Sequence, residues 1–245
     1  MIACDLHDAE VIADLTTDAG RAALIEGVAR ASGGRIDAIV ANAGGGPAQT
    51  SLQLNFFGAT ATLEGLRPLL AGNPQPRAVA VSSISSLRPP PPNLVELCLA
   101  GDEAGALAEA RRAWDAGELG RAGSGGLAPD AVEAGLDLYG AAKRALQLWC
   151  RRAAPTPEWA GAGIPLNVVA LGFYDTPAAA YVLADPQQRE AMGRMFPLAG
   201  SYPGRPDEAA ALLAWCVDPD NSQMTGQILY ADGGLECMAR GSLAA

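Results

Sequence analysis

Short apolar runs alternate along the chain with longer stretches whose apolar residues recur at helical spacing. Residues 2–5 and 10–15 are brief apolar runs, each closing on or beside an acid. Over 17–31 the spacing predicts a helix, with Thr17 placed to cap its start and Gly33-Gly34 to stop it. Residues 36–41 read as a buried strand running into Asn42-Ala43-Gly44-Gly45-Gly46, followed by a helix over 52–70 and a strand over 78–82 that runs into Ser83. A long insertion separates this strand from a helix that carries Tyr139 and Lys143. A strand over 165–170, a loop, a helix over 206–216 and a last strand over 226–230 complete the series. Strands that alternate with helices in this way predict one α/β domain over 1–245, its parallel sheet covered on both faces. No internal repeat is visible.

In such sheets ligands bind beyond the carboxyl ends of the strands. Asp5, Asp14-Leu15, Asn42-Ala43-Gly44 and Ser83 all fall at those ends. Asparagine and glycine also turn chains, and serine also caps helices. Together at one rim of one sheet, however, they outline a site.

Composition narrows the options. A chain of 245 residues, 49% hydrophobic, suits a single large core. The net charge of -10 argues against a nucleic-acid partner, which needs clustered cations. Five scattered cysteines, odd in number and without C-x-x-C spacing, point to reduced thiols in the cytoplasm and away from a zinc site. No apolar run approaches the roughly 20 residues of a membrane span, and no signal sequence opens the chain. His7 is the only histidine, which leaves a Ser-His-Asp or histidine-ligated metal site little to build on.

The sharpest feature is Tyr139-x-x-x-Lys143. Residues four apart share a helix face, so phenol and ammonium can project into one space. Lys143 is the chain's only lysine, and a lone lysine falls four residues after one of five tyrosines in 245 positions with a chance of roughly 2%. A free phenol has a pKa near ~10, and a nearby ammonium favours its ionised form. Lysine also offers three donors on a compact head, suited to ribose hydroxyls as arginine is not.

These residues resemble the short-chain dehydrogenase/reductase family, a Rossmann-like doubly wound fold, over nearly the whole chain. Asn42-Ala43-Gly44 matches the family's N-A-G, Asn55 in Leu54-Asn55-Phe56-Phe57-Gly58 its active-site asparagine, Ser83 its serine, and Tyr139 with Lys143 its Y-x-x-x-K. Gly204-Arg205-Pro206, Thr225-Gly226-Gln227 and Asp232-Gly233-Gly234 match its later patterns. The resemblance implies hydride transfer between a nicotinamide and a carbinol or carbonyl carbon. Tyr139 would be the acid or base, Ser83 the donor to substrate oxygen, and Lys143 the ribose ligand that lowers the phenol's pKa; Asn55 would hold a proton-passing water. Asp5 would accept from adenosine ribose hydroxyls, with no adjacent arginine for a 2'-phosphate, so NAD(H) is favoured over NADP(H). Asp14 and Leu15 would flank the adenine, and Asn42, Ala43, Gly44 and Thr176 would line the cofactor.

Within the family the likeness is to bacterial 3α-hydroxysteroid dehydrogenases/carbonyl reductases, carried by residues 8–15, by 55–60 and by the insertion after Ser83. It implies a small apolar hydroxy or keto substrate, with a coniferyl-type alcohol as the alternative, and a homo-oligomer. The insertion, about 87–136, holds a proline-rich turn, a helical stretch over 93–116 and a Gly/Ser-rich connector. It is a surface elaboration, a substrate wall or a cover for the usual subunit interface. Residues 174–183 resemble the family's substrate lid. Two departures stand out. Leu171 replaces the usual proline before Gly172, which predicts a looser loop. The family's first strand, glycine-rich turn and helix are not matched, so about 25 to 30 residues are expected to precede Met1. The rival expectation is a catalytically impaired, dehydrogenase-like binding protein.

Overall fold

The computed structural model describes residues 1–120 and 131–241. In chain order it holds β1 (Cys4–Asp5), β2 (Val11–Ile12), α1 (Asp18–Ala31), β3 (Ala38–Ala41), α2 (Ala59–Leu66), β4 (Arg77–Ser83), α3 (Leu94–Leu99), α4 (Glu103–Asp115), α5 (Ala131–Ala153), β5 (Leu166–Leu171), α6 (Ala180–Leu183), α7 (Pro186–Gly193), α8 (Pro206–Cys216), β6 (Ile228–Ala231) and α9 (Leu235–Arg240). All strand pairings are parallel, but they form two sheets and not one: β1-β2, and β3-β4-β5-β6. Among the described residues the second edges of β1 and β3 pair with no strand. Val40 on β3 and Ile12 on β2 are correspondingly exposed, although such side chains belong in a covered sheet.

The larger sheet is centred on β4, all seven of whose residues are buried. Helix α5 lies against β4 with Leu138, Ala141, Ala142, Ala145, Leu146 and Cys150 inward, a stripe at helical spacing. Thr17 caps α1 by accepting from Gly20 N–H at 3.0 Å, and Gly33 and Gly34 end it at positive φ, as the sequence predicts.

The expected continuous helix over 52–70 is instead a π-turn (Gln53–Gly58), then α2, then a 3-10 turn (Arg67–Leu70). The cause lies in Asn55, whose Nδ2 donates to the Ser51 carbonyl at 2.9 Å and so competes with the helical ladder there. Further on, Pro68 lacks the N–H to continue it.

The insertion also divides: Gly101 breaks it at positive φ, and Asp102 caps α4 by accepting from Gly105 N–H at 2.8 Å. Helix α3 packs on α5, and its neighbour α4 reaches α1 through Glu103, which receives two bonds from Arg21, at 2.7 and 3.0 Å. A buried carboxylate, Asp137, ties the start of the insertion to α5. It accepts from Arg88 Nε at 2.8 Å and from Gly120 N–H at 2.6 Å, while Glu133 takes the other end of Arg88 at 2.8 Å. Removing Asp137 leaves a partly buried guanidinium and a backbone donor underserved. Asp137→Ala is therefore expected to cost about 3 kcal/mol, read as a lowered urea midpoint with unchanged slope. Residues 121–130 of the Gly/Ser-rich connector lie outside the described residues.

Candidate active site

Strand β4 delivers Ser83 to its carboxyl end, and α5 presents Tyr139 and Lys143 one turn apart beside it. Gly140 makes the approach possible, because a Cβ there would collide with the Ser85 carbonyl. The Ser83 hydroxyl neighbours the Tyr139 phenol, tending to lower its pKa, and accepts from Ser85 N–H at 3.2 Å. Lys143 Nζ stands 5.7 Å from the centre of the Tyr139 ring and donates to the Val81 carbonyl at 2.8 Å. Only 2% of Lys143 is exposed, and among the described residues the Val81 carbonyl is the one acceptor its ammonium bonds. A buried ammonium with donors to spare suits a ligand rich in hydroxyls.

Asn55 and Gly44 close the site from the β3 side. Asn55 is fully buried, accepts from Gly45 N–H at 2.9 Å and donates to the Gly45 and Ser51 carbonyls at 3.0 and 2.9 Å. Its side chain thus locks the glycine loop. Asn55 lies in the π-turn, a backbone irregularity common at functional sites. A Cβ on Gly44 would stand 2.9 Å from Asn55 Oδ1 and 3.0 Å from Lys143 Nζ. Glycine alone lets the Asn42-Ala43-Gly44 loop sit this close to the lysine.

The electrostatics differ from expectation. Burial is the largest influence on Tyr139 and pushes its phenol above the ordinary value, with the Ser83 hydroxyl opposing. Burial also depresses Lys143, to about 8. The low-dielectric surroundings disfavour phenolate, and Lys143 directs one of its protons to Val81. Near neutral pH the site therefore holds a protonated phenol beside a mostly charged lysine.

The remaining expected residues lie apart from this cluster. Asp5 ends β1, exposed, its Oδ1 accepting from Leu6 N–H at 2.6 Å. Asp14 follows β2 and accepts from Thr16 N–H and Oγ1 at 2.9 and 2.6 Å, bonds that lower its pKa. Leu15 packs its side chain in the core, and its carbonyl accepts from Arg21 Nε at 2.9 Å. Thr176 begins the 3-10 turn Pro177–Ala179 beyond β5, without a side-chain cap bond. Leu171 does not loosen its loop. It extends β5 in register with Ser83 and Ala231, and Gly172 N–H continues the ladder to Ala231 at 2.9 Å.

Tyr174 is held by a bond to the Ala231 carbonyl at 3.1 Å and by a bridge to Gly204, so the stalk of the expected lid is pinned and α6 and α7 stand beyond it. A cavity of about 920 Å³ adjoins Gly172, walled by Phe173, Tyr174, Phe196 and Leu198 and by the segment after β6, not by the insertion. The lining contains none of Ser83, Tyr139 or Lys143.

The chemistry of these groups is compatible with the riboses of the family's nicotinamide cofactor: Lys143 would donate to hydroxyls of one, and the Asp5 carboxylate would accept from hydroxyls of the other. Among the described residues no glycine-rich turn leads from a strand into an α-helix to receive a pyrophosphate; Gly44-Gly45-Gly46 leads only to the 3-10 turn Ala48–Thr50. Arg21 and Asp137 were not visible as organisers in the sequence, since nothing in their spacing marks their distant partners.

Comparison with known proteins agrees with this arrangement. A family model described as enoyl-(acyl carrier protein) reductase matches residues 127–236. A 3-alpha-hydroxysteroid dehydrogenase/carbonyl reductase of Comamonas testosteroni is 33% identical over 98% of this chain and 88% of the relative. The crystal structure of a 3-alpha-hydroxysteroid dehydrogenase from Pseudomonas sp. B-0831, complexed with NADH, superposes with a TM-score of 0.79 at 32% identity, over 98% of this chain and 88% of that one. The Pseudomonas aeruginosa RhlG/NADP complex superposes with a TM-score of 0.63 at 26% identity, over 92% and 75%. With its serine, tyrosine and lysine assembled at the end of β4 and a relative matched across nearly its full length, the chain belongs to the short-chain dehydrogenase/reductase family of NAD(P)-dependent oxidoreductases.

Proposed function

We propose that the protein transfers hydride between NAD(H) and the carbinol or carbonyl carbon of an apolar secondary alcohol or ketone of the hydroxysteroid type. The observation that carries this is the clustering of Ser83, Tyr139 and Lys143 at the carboxyl end of β4, with Gly44 and Asn55 beside the lysine. When bound, the nicotinamide supplies or accepts the hydride. Ser83 donates to the substrate oxygen and, with Tyr139, fixes it so that the reacting carbon faces the nicotinamide. In reduction Tyr139 gives its phenolic proton to that oxygen, and in oxidation it takes the proton back. Lys143 uses its two spare protons on ribose hydroxyls.

Asp5 supports NAD(H): an exposed carboxylate accepts from a ribose hydroxyl and repels a 2'-phosphate. The two hydroxysteroid relatives, one of them with NADH, support the substrate class.

Turnover of a steroid 3-ketone, followed by loss of NADH absorbance, is expected to exceed that with NADPH on the order of 100-fold in kcat/KM. Equal or reversed preference would overturn the cofactor assignment. A folded protein that leaves NADH fluorescence unchanged would favour the binding-protein alternative.

A further inference from the structure

Beside Ser83 runs a buried polar network that the chemistry above does not use. Gln147 lies one turn beyond Lys143 on α5 and is 3% exposed. Its Nε2 donates to Ser82 Oγ at 2.9 Å and to Ser86 Oγ at 2.8 Å. Ser82 Oγ donates in turn to the Lys143 carbonyl at 3.2 Å, and the Tyr230 hydroxyl on β6 donates to Gln147 Oε1 at 3.4 Å. Ser82 and Ser86 are buried too, and they bracket Ser83 in the chain.

A buried amide whose donors and acceptor are all matched holds its neighbours in one arrangement, because any slip strands polar atoms away from water. Here the neighbours are the end of β4, the turn after it and the helix that bears Tyr139. An apolar side chain of similar size would fill the volume and leave the stagger of these elements free to shift.

We propose that Gln147 is a positioning residue: through Ser82 and Ser86 it sets the distance and direction of the Ser83 hydroxyl relative to the Tyr139 phenol. Its kinetic consequence rests on the hydride-transfer assignment, but its structural consequence does not. Gln147 touches neither phenol nor substrate and acts only by where it holds Ser83.

Two measurements test this. In protein labelled with 13Cζ-tyrosine, the Tyr139 resonance is assigned by its loss in Tyr139→Phe. Gln147→Leu is expected to shift that resonance in the same direction as Ser83→Ala, since both remove the serine contact. An unmoved Tyr139 resonance in folded Gln147→Leu overturns the proposal whether or not the enzyme turns over. Should Gln147→Leu not fold, Ser86→Ala, which deletes one bond of the network, must produce a smaller shift of the same sign, and no shift overturns the proposal equally.

In the ketone assay Gln147→Leu is expected to lower kcat by about 10- to 100-fold, as expected for a misplaced group, with KM for NADH within about twofold of wild type. In a Ser83→Ala background the same change should cost almost nothing further. Additive losses would assign Gln147 a general structural role and overturn the proposal. A wild type that reduces no ketone counts against the hydride-transfer assignment, and the resonance shift still decides the role of Gln147.

Discussion

Tyr139→Phe will reduce ketone turnover by about 1000-fold, within the range that a positioned acid or base contributes. The substitution conserves volume and removes one hydroxyl beside Ser83, and a polar contact of that kind is worth about 1 kcal/mol at most, so the urea midpoint should move little. Because burial raises the phenol's pKa, wild-type Tyr139 carries its proton at neutral pH and is ready to donate it. Reduction should therefore stay flat through neutrality, whereas alcohol oxidation, which needs the phenol to accept a proton, should keep rising into alkaline pH. Steady-state rates in both directions across pH check this. A Phe variant within tenfold of wild type would remove Tyr139 from the mechanism.

Lys143→Met should separate stability from function, moving them in opposite directions. Lys143 titrates at about 8 in the folded protein against 10.5 for the free side chain, so folding demands that a buried ammonium be kept at some cost. Between those values the unfolded chain binds more protons, and stability rises with pH; below about 8 the penalty is fully present, about 3 kcal/mol. Methionine removes the penalty but leaves the Val81 carbonyl without its donor, a loss of about 1 kcal/mol. The net expectation at pH 7 is a gain of about 2 kcal/mol, or several degrees in Tm for a chain of this size. That gain should shrink as pH climbs from about 8 toward 10.5, where wild type sheds its proton. Turnover should meanwhile fall at least 100-fold, because methionine cannot donate to ribose hydroxyls. Calorimetry and the ketone assay on the same samples give both numbers. A destabilised yet active variant would contradict both the burial penalty and the role in binding.

The alternation of strand and helix, the cap at Thr17, the stop at Gly33-Gly34 and the helix over 206–216 were legible in the sequence because each depends on neighbours within a few residues. Tyr139-x-x-x-Lys143 was legible for the same reason, since a helix converts four-residue spacing into a shared face. Helices α7 and α9 went unread. Helix α7 has no buried residue among Pro186–Gly193, so no apolar stripe announces it, and α9 is only six residues long.

What the chain determined by itself was local: which segments become strand or helix, and which few side chains could do acid-base chemistry together. Tertiary structure alone decided the division into two sheets and the burial of Leu15. It also decided the protonation of the site. A phenol's pKa depends on how much protein surrounds it and on which groups stand beside it, and for Tyr139 both involve residues more than fifty positions away, such as Ser83.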